Sequence, residues 1–170
     1  MLKFFELAPS PNNLKVRMAL RRKGIEFEAV PVDPFDRTAV LEVSGQELTP
    51  VIADRGIVLH DSEAILHYLD ANYPATDRLY PSSRDGRKTC DAWKERIDRD
   101  VAHRWLPVFR AVLKVRDGFT PEERQAFEDA LHALDRELGD RDTFVEGAPV
   151  CDLRVAVWAS YALPSPALIE

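Results

Sequence analysis

The sequence predicts an α/β domain followed by an all-helical domain, and three observations carry this prediction. Short apolar runs alternate with helix-like segments over residues 1–74. Residues 75–83 end in Pro81, Ser82 and Ser83, which indicates a linker. Apolar residues then recur at helical spacing over residues 84–170. A chain of 170 residues is long enough for two unequal domains.

In the first domain, the apolar runs and their boundaries predict the order β-α-β-α-β-β-α. Ser10 can act as the N-cap of the first helix, Pro11 suits its first position, and Gly24 is placed to end it. A strand–helix–strand start favours a parallel first pair, whereas the closing hairpin is antiparallel. The predicted elements are strands at 2–7 and 27–32, a hairpin at 50–59, and helices at 11–23, 35–43 and 61–72.

The second domain begins with a long apolar stripe at helical spacing. Trp93, Ile97, Val101 and Trp105 lie near 3.6 residues apart, and the pattern continues to about residue 115. Pro107 interrupts this pattern and is predicted to kink the helix or split it in two. We interpret the stripe as core and dimer surface.

Two further helices are predicted after this stripe. Thr120 is a predicted N-cap, Pro121 suits the first helical position, and Glu123 completes a capping box. Gly139 is placed to end that helix. A last helix begins near Val150.

Composition narrows the class of protein. The chain has 23 Lys and Arg against 29 Asp and Glu, a net charge of −6, which argues against a general nucleic-acid binder or a binder of anionic membranes. The two cysteines, Cys90 and Cys151, form no Cys-x-x-Cys motif, so a disulfide framework is not expected and a reducing compartment fits. No run approaches the ~18 apolar residues of a membrane span. We therefore expect a cytoplasmic protein.

Three local features of the first domain are placed to act together. Ser10 follows a strand and opens a helix, where unpaired backbone N–H groups and the helix dipole favour an anion. Thr49-Pro50 precedes a strand, and an X-Pro bond there can be cis at a cost of about 0.5–1 kcal/mol. Asp61-Ser62 opens another helix and adds N–H donors beside a hydroxyl. Each also has a structural interpretation, because Ser10 and Asp61-Ser62 can be helix caps and Thr49-Pro50 can simply shape the domain.

This set of motifs resembles the glutathione S-transferase family. The resemblance is carried by Ser10-Pro11 ahead of Lys15-Val16, by Thr49-Pro50-Val51, by the run from His60 to Leu69, and by Asn72-Tyr73-Pro74. It implies a thioredoxin-like first domain and an all-helical second domain. Gly147 and Cys151-Asp152-Leu153 resemble part of that second domain, whose C-terminal end is shorter here than in the family.

The resemblance also implies a function and a site. Glutathione is the implied co-substrate, and its thiolate attacks a small hydrophobic electrophile in a detoxification reaction. Ser10 is the implied catalytic residue, which hydrogen-bonds the glutathione sulfur. Thr49, Pro50 and Val51 are implied to align the cysteinyl part of glutathione. Asp61 and Ser62 are implied to bind its γ-glutamyl end, Asp61 the ammonium and Ser62 the carboxylate. A homodimer is implied as well.

Departures from the family pattern keep other functions open. The loop around Ser10 contains no cysteine, which disfavours a thiol-disulfide oxidoreductase. A non-catalytic binding or scaffold protein with this fold is the alternative. His60 and His67 have no ligand partners at metal-binding spacing, so no metal is expected. Pro149 stands where the family has a Ser or Thr cap, so Asp152 is expected to lack its side-chain partner.

Overall fold

The computed structural model of the protein describes residues 1–8, 10–112 and 117–160. Two units are distinguished by their internal contacts, the first from Met1 to Leu79 and the second from Tyr80 onward. The first is an α/β unit and the second is helical throughout its described elements. The fold class predicted from the sequence is confirmed. None of the helices in the described ranges is long and apolar enough to cross a bilayer.

A mixed four-stranded sheet forms the centre of the first unit. Its spatial order is β2-β1-β3-β4. The predicted parallel pairing of β1 with β2 and antiparallel pairing of β3 with β4 are both confirmed, and β1 also pairs antiparallel with β3. The strands are β1 (Leu2–Glu6), β2 (Phe27–Pro31), β3 (Val51–Asp54) and β4 (Ile57–His60).

Helices cover this sheet and complete the predicted element order. They are α1 (Pro11–Arg22), α2 (Thr38–Ser44) and α3 (Ser62–Asn72). Helix α2 begins three residues later than the sequence predicts. The cause is local, because Asp33 Oδ1 accepts from the backbone N–H of Phe35 and Asp36 Oδ1 accepts from that of Thr38. Such side-chain bonds hold the backbone in turns instead of a helix.

The side chains of β1 and β3 alternate between two buried faces. Phe5 and Val51 are opposite each other in the ladder and pack with Val40 of α2. Their neighbours Phe4 and Ile52 are also cross-strand partners and are completely buried on the other face. Since side chains alternate along a strand, each face of the sheet has its own apolar cluster.

A buried carboxylate ties β3 to α3 and to the residue after it. Asp54 is only 5% exposed, and its Oδ2 accepts hydrogen bonds from the hydroxyls of Tyr68 at 2.9 Å and Tyr73 at 2.7 Å. Burial, together with the hydrogen bond to Asp54, raises the pKa of Tyr73 to about 12. The neutral phenol is therefore the form that the fold favours.

This cluster predicts a pH-dependent loss of stability. Between the ordinary pKa of 10.0 and about 12, folded Tyr73 keeps its proton while the unfolded chain releases it. The contribution of Tyr73 is thus complete below pH 10 and disappears as the pH rises toward 12. Phenolate absorbance is titrated against pH in wild type and in Tyr73→Phe, and the difference between the two curves should show a phenol that ionises near pH 12. Asp54→Asn should lower the pKa of this phenol. A difference titration centred at the ordinary value would contradict the cluster.

The second unit contains α4 (Arg84–Ile97), α5 (His103–Val112), α6 (Pro121–Leu138) and α7 (Pro149–Ser160). The predicted capping box at the start of α6 is confirmed. Thr120 Oγ1 accepts from the N–H of Glu123, and the Glu123 carboxylate accepts from the N–H of Thr120. Together these bonds satisfy two N–H groups that a helix start leaves unpaired.

Of the two outcomes predicted at Pro107, a kink or a split, the split is wrong. Helix α5 runs through Pro107, and the α-helical pattern is interrupted earlier, by a π-helical segment at Asp98–Ala102 between α4 and α5. Proline lacks an N–H and its ring crowds the carbonyl four residues before it, here that of His103. A π-helical turn just upstream is one way in which a helix absorbs such a disturbance.

The apolar stripe of α4 and α5 forms core, as predicted. Trp93, Ile97, Val101 and Trp105 are all buried, and the Trp105 ring lies 5.0 Å from that of Trp158. The side chains of Val108, Phe109 and Val112, which were predicted to continue the stripe, are outside the described part of the structure.

The two cysteines of the second unit are neighbours. Cys90 Sγ and Cys151 Sγ lie 3.4 Å apart in a buried position, and both are free thiols. The hydrogen bond with Cys90 and burial raise the pKa of the Cys151 thiol well above its ordinary range. A thiol held in its neutral form is a poor nucleophile, so this pair is structural.

The carboxylate of Asp152 has a main-chain partner in place of the side-chain cap that Pro149 cannot supply. Its Oδ1 accepts from the backbone N–H of Phe144 at 2.9 Å. Pro149 offers neither a hydroxyl nor an N–H at the start of α7. The carboxylate bonds instead to the loop that precedes the helix.

Candidate functional site

The sheet register brings the three predicted motifs to one edge. Phe5 near the end of β1 is opposite Val51, the first residue of β3, and Val51 is opposite His60, the last residue of β4. Because these pairings are antiparallel, the chain leaves β1, enters β3 and leaves β4 at the same edge. The connections that carry Ser10, Thr49-Pro50 and Asp61-Ser62 therefore converge there.

Ser10 occupies the N-cap position of α1, with Pro11 at the first helical position. Its backbone is extended, its N–H donates to Leu7 O, and its C=O accepts from Leu14 N–H. The Ser10 side chain makes no capping hydrogen bond to α1. The hydroxyl thus lies at the positive end of a helix without serving as the cap of that helix.

The Thr49-Pro50 peptide is cis. Pro50 and Val51 are buried, and Val51 is in the ladder with both β1 and β4. Thr49 is half-buried and stands before the strand begins. Of the three residues predicted to contact the cysteinyl part of glutathione, Thr49 and Pro50 precede the strand, and Val51 lies within the sheet pairing.

Gln46 stabilises the conformation of the loop that precedes Thr49. Its Oε1 accepts from the N–H of Leu48 at 2.6 Å, and its Nε2 donates to Leu48 O and to Ser44 Oγ, each at 2.9 Å. Both the oxygen and the nitrogen of the side-chain amide make hydrogen bonds within this loop region, so the role of Gln46 in this structure is to stabilise the loop.

Asp61 and Ser62 start helix α3 at the same edge. Asp61 caps the helix, since its Oδ1 accepts from the N–H groups of Glu63 and Ala64 at 3.0 Å each. Its φ of 72° is uncommon for a residue with a side chain and costs on the order of 1–3 kcal/mol. Ser62 is buried, and its hydroxyl donates to Asn12 Oδ1 at 3.3 Å. The capping interpretation of Asp61 therefore holds, and the residue is also exposed.

The start of α1 is fastened to α3 by charge as well. Lys15 Nζ lies 2.8 Å from Glu63 Oε1, and the Lys15 side chain is only 8% exposed. With the bond between Asn12 and Ser62, this pair keeps the two helix N-termini side by side. Two positive helix ends next to each other form an environment that favours anions.

Asn13 joins two of the three motifs, a contact that the sequence did not reveal. Its side-chain amide accepts from the N–H of Leu7 at 3.2 Å and donates to Thr49 Oγ1 at 3.0 Å. A single buried asparagine at the third position of a helix leaves no pattern in the sequence. Its role is seen only from the residues that it contacts in the folded structure. Within residues 1–8, 10–112 and 117–160, no group of three His, Cys, Asp or Glu side chains is arranged to hold a metal ion.

Comparison with known proteins matches this fold. Residues 4–77 match the family model of the glutathione S-transferase N-terminal domain. The chain is 30% identical over 141 residues to glutathione S-transferase U27 of Arabidopsis thaliana, with 80% of this chain and 60% of that protein covered. It is also 30% identical over 147 residues to the probable glutathione S-transferase GSTU1 of Oryza sativa subsp. japonica, with coverages of 81% and 62%.

A solved structure extends the likeness over most of the chain. The rice GST1 (OsGSTU1) structure in complex with glutathione superposes with a TM-score of 0.73 at 26% identity and covers 94% of this chain and 77% of that one. The chain spans 60% to 62% of the length of the two curated relatives.

The fold is thus that of a two-domain protein with a thioredoxin-like first domain and a helical second domain. This chain is similar to the glutathione S-transferases, and the resemblance drawn from its motifs is confirmed.

Proposed function

We propose that the chain binds glutathione at the edge where the three motifs meet and transfers its thiolate to a small hydrophobic electrophile. The observation that carries this proposal is Ser10, whose hydroxyl lies at the N-terminus of α1 and does not cap it. An N-cap serine normally bonds to its own helix. Here the hydroxyl is left to donate to a ligand at the positive end of the helix.

Conjugation requires the thiolate form of glutathione, and no side chain of the protein has to act as a general base. A free thiol has a pKa of about 8.5, so only a few per cent of glutathione is ionised at neutral pH. The Ser10 hydroxyl and the helix N-terminus stabilise the negative sulfur, and the released proton goes to solvent. The sulfur lone pair then forms a bond to the electrophilic carbon. In a substitution the leaving group departs with the electron pair of its bond, and in an addition to an activated double bond the π pair moves to the neighbouring atom, which takes a proton from solvent.

The other motifs supply the remaining anchors of the tripeptide. The Thr49 main chain aligns the cysteinyl part next to Pro50 and Val51. The γ-glutamyl end carries an ammonium and a carboxylate, which suit the Asp61 carboxylate and the Ser62 hydroxyl at the N-terminus of α3. The glutathione complex of the rice relative supports this choice of ligand.

Further properties follow from the family likeness. We propose a cytoplasmic homodimer that acts in detoxification, with glutathione as co-substrate. The buried thiol pair Cys90 and Cys151 suits a reducing compartment, since both sulfurs are unlinked.

A conjugation assay tests the proposal. Wild type is mixed with glutathione and an activated aryl chloride, and thioether formation is followed against the uncatalysed rate. Saturable acceleration is the expected result. Saturable glutathione binding without acceleration for a panel of aryl halides, epoxides and activated alkenes would favour the non-catalytic binding protein instead.

A further inference from the structure

We propose that Asn13 is a positioning residue: its amide fixes the Ser10 hydroxyl relative to Thr49, and the acidity of bound glutathione depends on that placement. The inference rests on the proposed glutathione site and goes beyond it by naming a residue that tunes the site without touching the sulfur. It starts from two hydrogen bonds that converge on one buried side chain.

The bonds join Thr49 to Leu7 through Asn13, and the main chain of Leu7 completes the link to Ser10. Thr49 Oγ1 accepts from Asn13 Nδ2 at 3.0 Å, and Asn13 Oδ1 accepts from Leu7 N–H at 3.2 Å. Leu7 in turn accepts from the N–H of Ser10 through its C=O at 2.9 Å. Asn13 is 2% exposed, so water does not compete well for these bonds.

The Asn13 side chain bridges Leu7 and Thr49, and the chemistry of its amide suits both partners. Leu7 offers an N–H, which needs an acceptor, whereas the Thr49 hydroxyl accepts the hydrogen of an NH₂ group. Leucine at position 13 would leave the half-buried N–H of Leu7 without this acceptor. Aspartate would satisfy Leu7 but would bring a negative charge close to the sulfur site. A neutral amide is therefore the side chain that joins the motifs without opposing a thiolate.

Placement matters because the sulfur is held from two sides. The cysteinyl part of glutathione is aligned by Thr49, and the sulfur is stabilised by Ser10. Electrostatic stabilisation depends on donors that are already in place, and a shift of about 1 Å can cost a large part of it. The γ-glutamyl end is held separately by Asp61 and Ser62. Loss of the bridge should thus change thiol acidity more than affinity.

The test measures the pH profile of conjugation and the affinity for glutathione in Asn13→Ala, Asn13→Asp and Thr49→Val. With glutathione saturating, we expect Asn13→Ala to move the pH profile of kcat/KM for the electrophile about one pH unit upward and to lower kcat at neutral pH about tenfold. The rate should approach that of wild type at high pH, where the thiol ionises unaided. The Kd for glutathione should change less than about threefold. Thr49→Val should shift the profile in the same direction, and Asn13→Asp should shift it further because of its charge.

Asn72→Ala is the matched control, since the Asn72 amide donates to Tyr68 O on the exposed side of α3. It should leave the pH profile unchanged. An unshifted profile in Asn13→Ala, or a loss of rate that is equal at every pH, overturns the positioning role.

A measurement without glutathione separates this inference from the proposed function. Urea unfolding of Asn13→Ala, Thr49→Val and the double variant should give non-additive shifts of the midpoint, because the two side chains share one bond. Additive shifts overturn the bridge itself, whatever glutathione does. If the shifts are non-additive and wild type binds no glutathione, the proposed function fails and the positioning role fails with it, while the bridge stands.

Discussion

Ser10→Ala is expected to lower kcat/KM for conjugation about 100-fold, the usual effect of removing one donor to a developing or resident anion. The hydroxyl does not cap α1, so its removal costs that helix little. The backbone bonds of Ser10 to Leu7 and Leu14 remain. The loss should therefore appear as a raised pKa of the bound thiol, measured by thiolate absorbance, and not as unfolding.

Ser82→Ala is the matched control, because Ser82 is an exposed serine outside the first unit. Its activity should equal that of wild type. If Ser10→Ala conjugated glutathione at the wild-type rate with the same pH profile, the catalytic role would belong to another group at this edge.

Asp70→Ala is expected to destabilise the protein by about 3 kcal/mol. The Lys23 side chain is completely buried, and its Nζ donates to Asp77 O at 2.7 Å and lies 3.4 Å from Asp70 Oδ1. Asp70 Oδ1 also accepts from the N–H of Leu79 at 2.7 Å. The variant leaves a buried ammonium without its counter-charge and an N–H without its acceptor, and both are costly. Urea unfolding measures the change.

Asp70→Asn separates the two contributions, because it keeps an acceptor for Leu79 and removes the charge. The free energy of unfolding of Asp70→Asn should lie between that of wild type and that of Asp70→Ala. Asp77→Ala serves as the control, since that side chain is 71% exposed and its backbone carbonyl to Lys23 is retained. A change within about 0.5 kcal/mol is expected for it. A cost below about 1 kcal/mol for Asp70→Ala would show that the buried pair is dispensable.

Local sequence signals were sufficient for the elements and for two of the strand pairings. Strand alternation, Pro11 at a helix start and the capping box at Thr120 depend on residues a few positions apart. The convergence of Ser10, Thr49 and Asp61 also needs the pairing of β1 with β3, which the pattern did not predict. The glutathione-binding roles of these residues remain proposals.

The polar contacts between distant residues could not be predicted in this way. Lys23 has the sequence signature of an ordinary basic residue in the last turn of a helix, yet its partner Asp70 is 47 residues away. Asn13 and Thr49 are 36 residues apart, and Lys15 and Glu63 are 48 apart.

Proton release on glutathione binding tests the central claim most directly. Isothermal titration of wild type at pH 7, in buffers of different ionisation enthalpy, gives the number of protons released for each glutathione bound. Stabilisation of the thiolate at Ser10 predicts saturable binding at millimolar concentrations or below, with about 0.5–1 proton released. S-methylglutathione, which has no thiol proton, should bind and release none. Glutathione binding without proton release, or no binding at millimolar glutathione, would contradict the account.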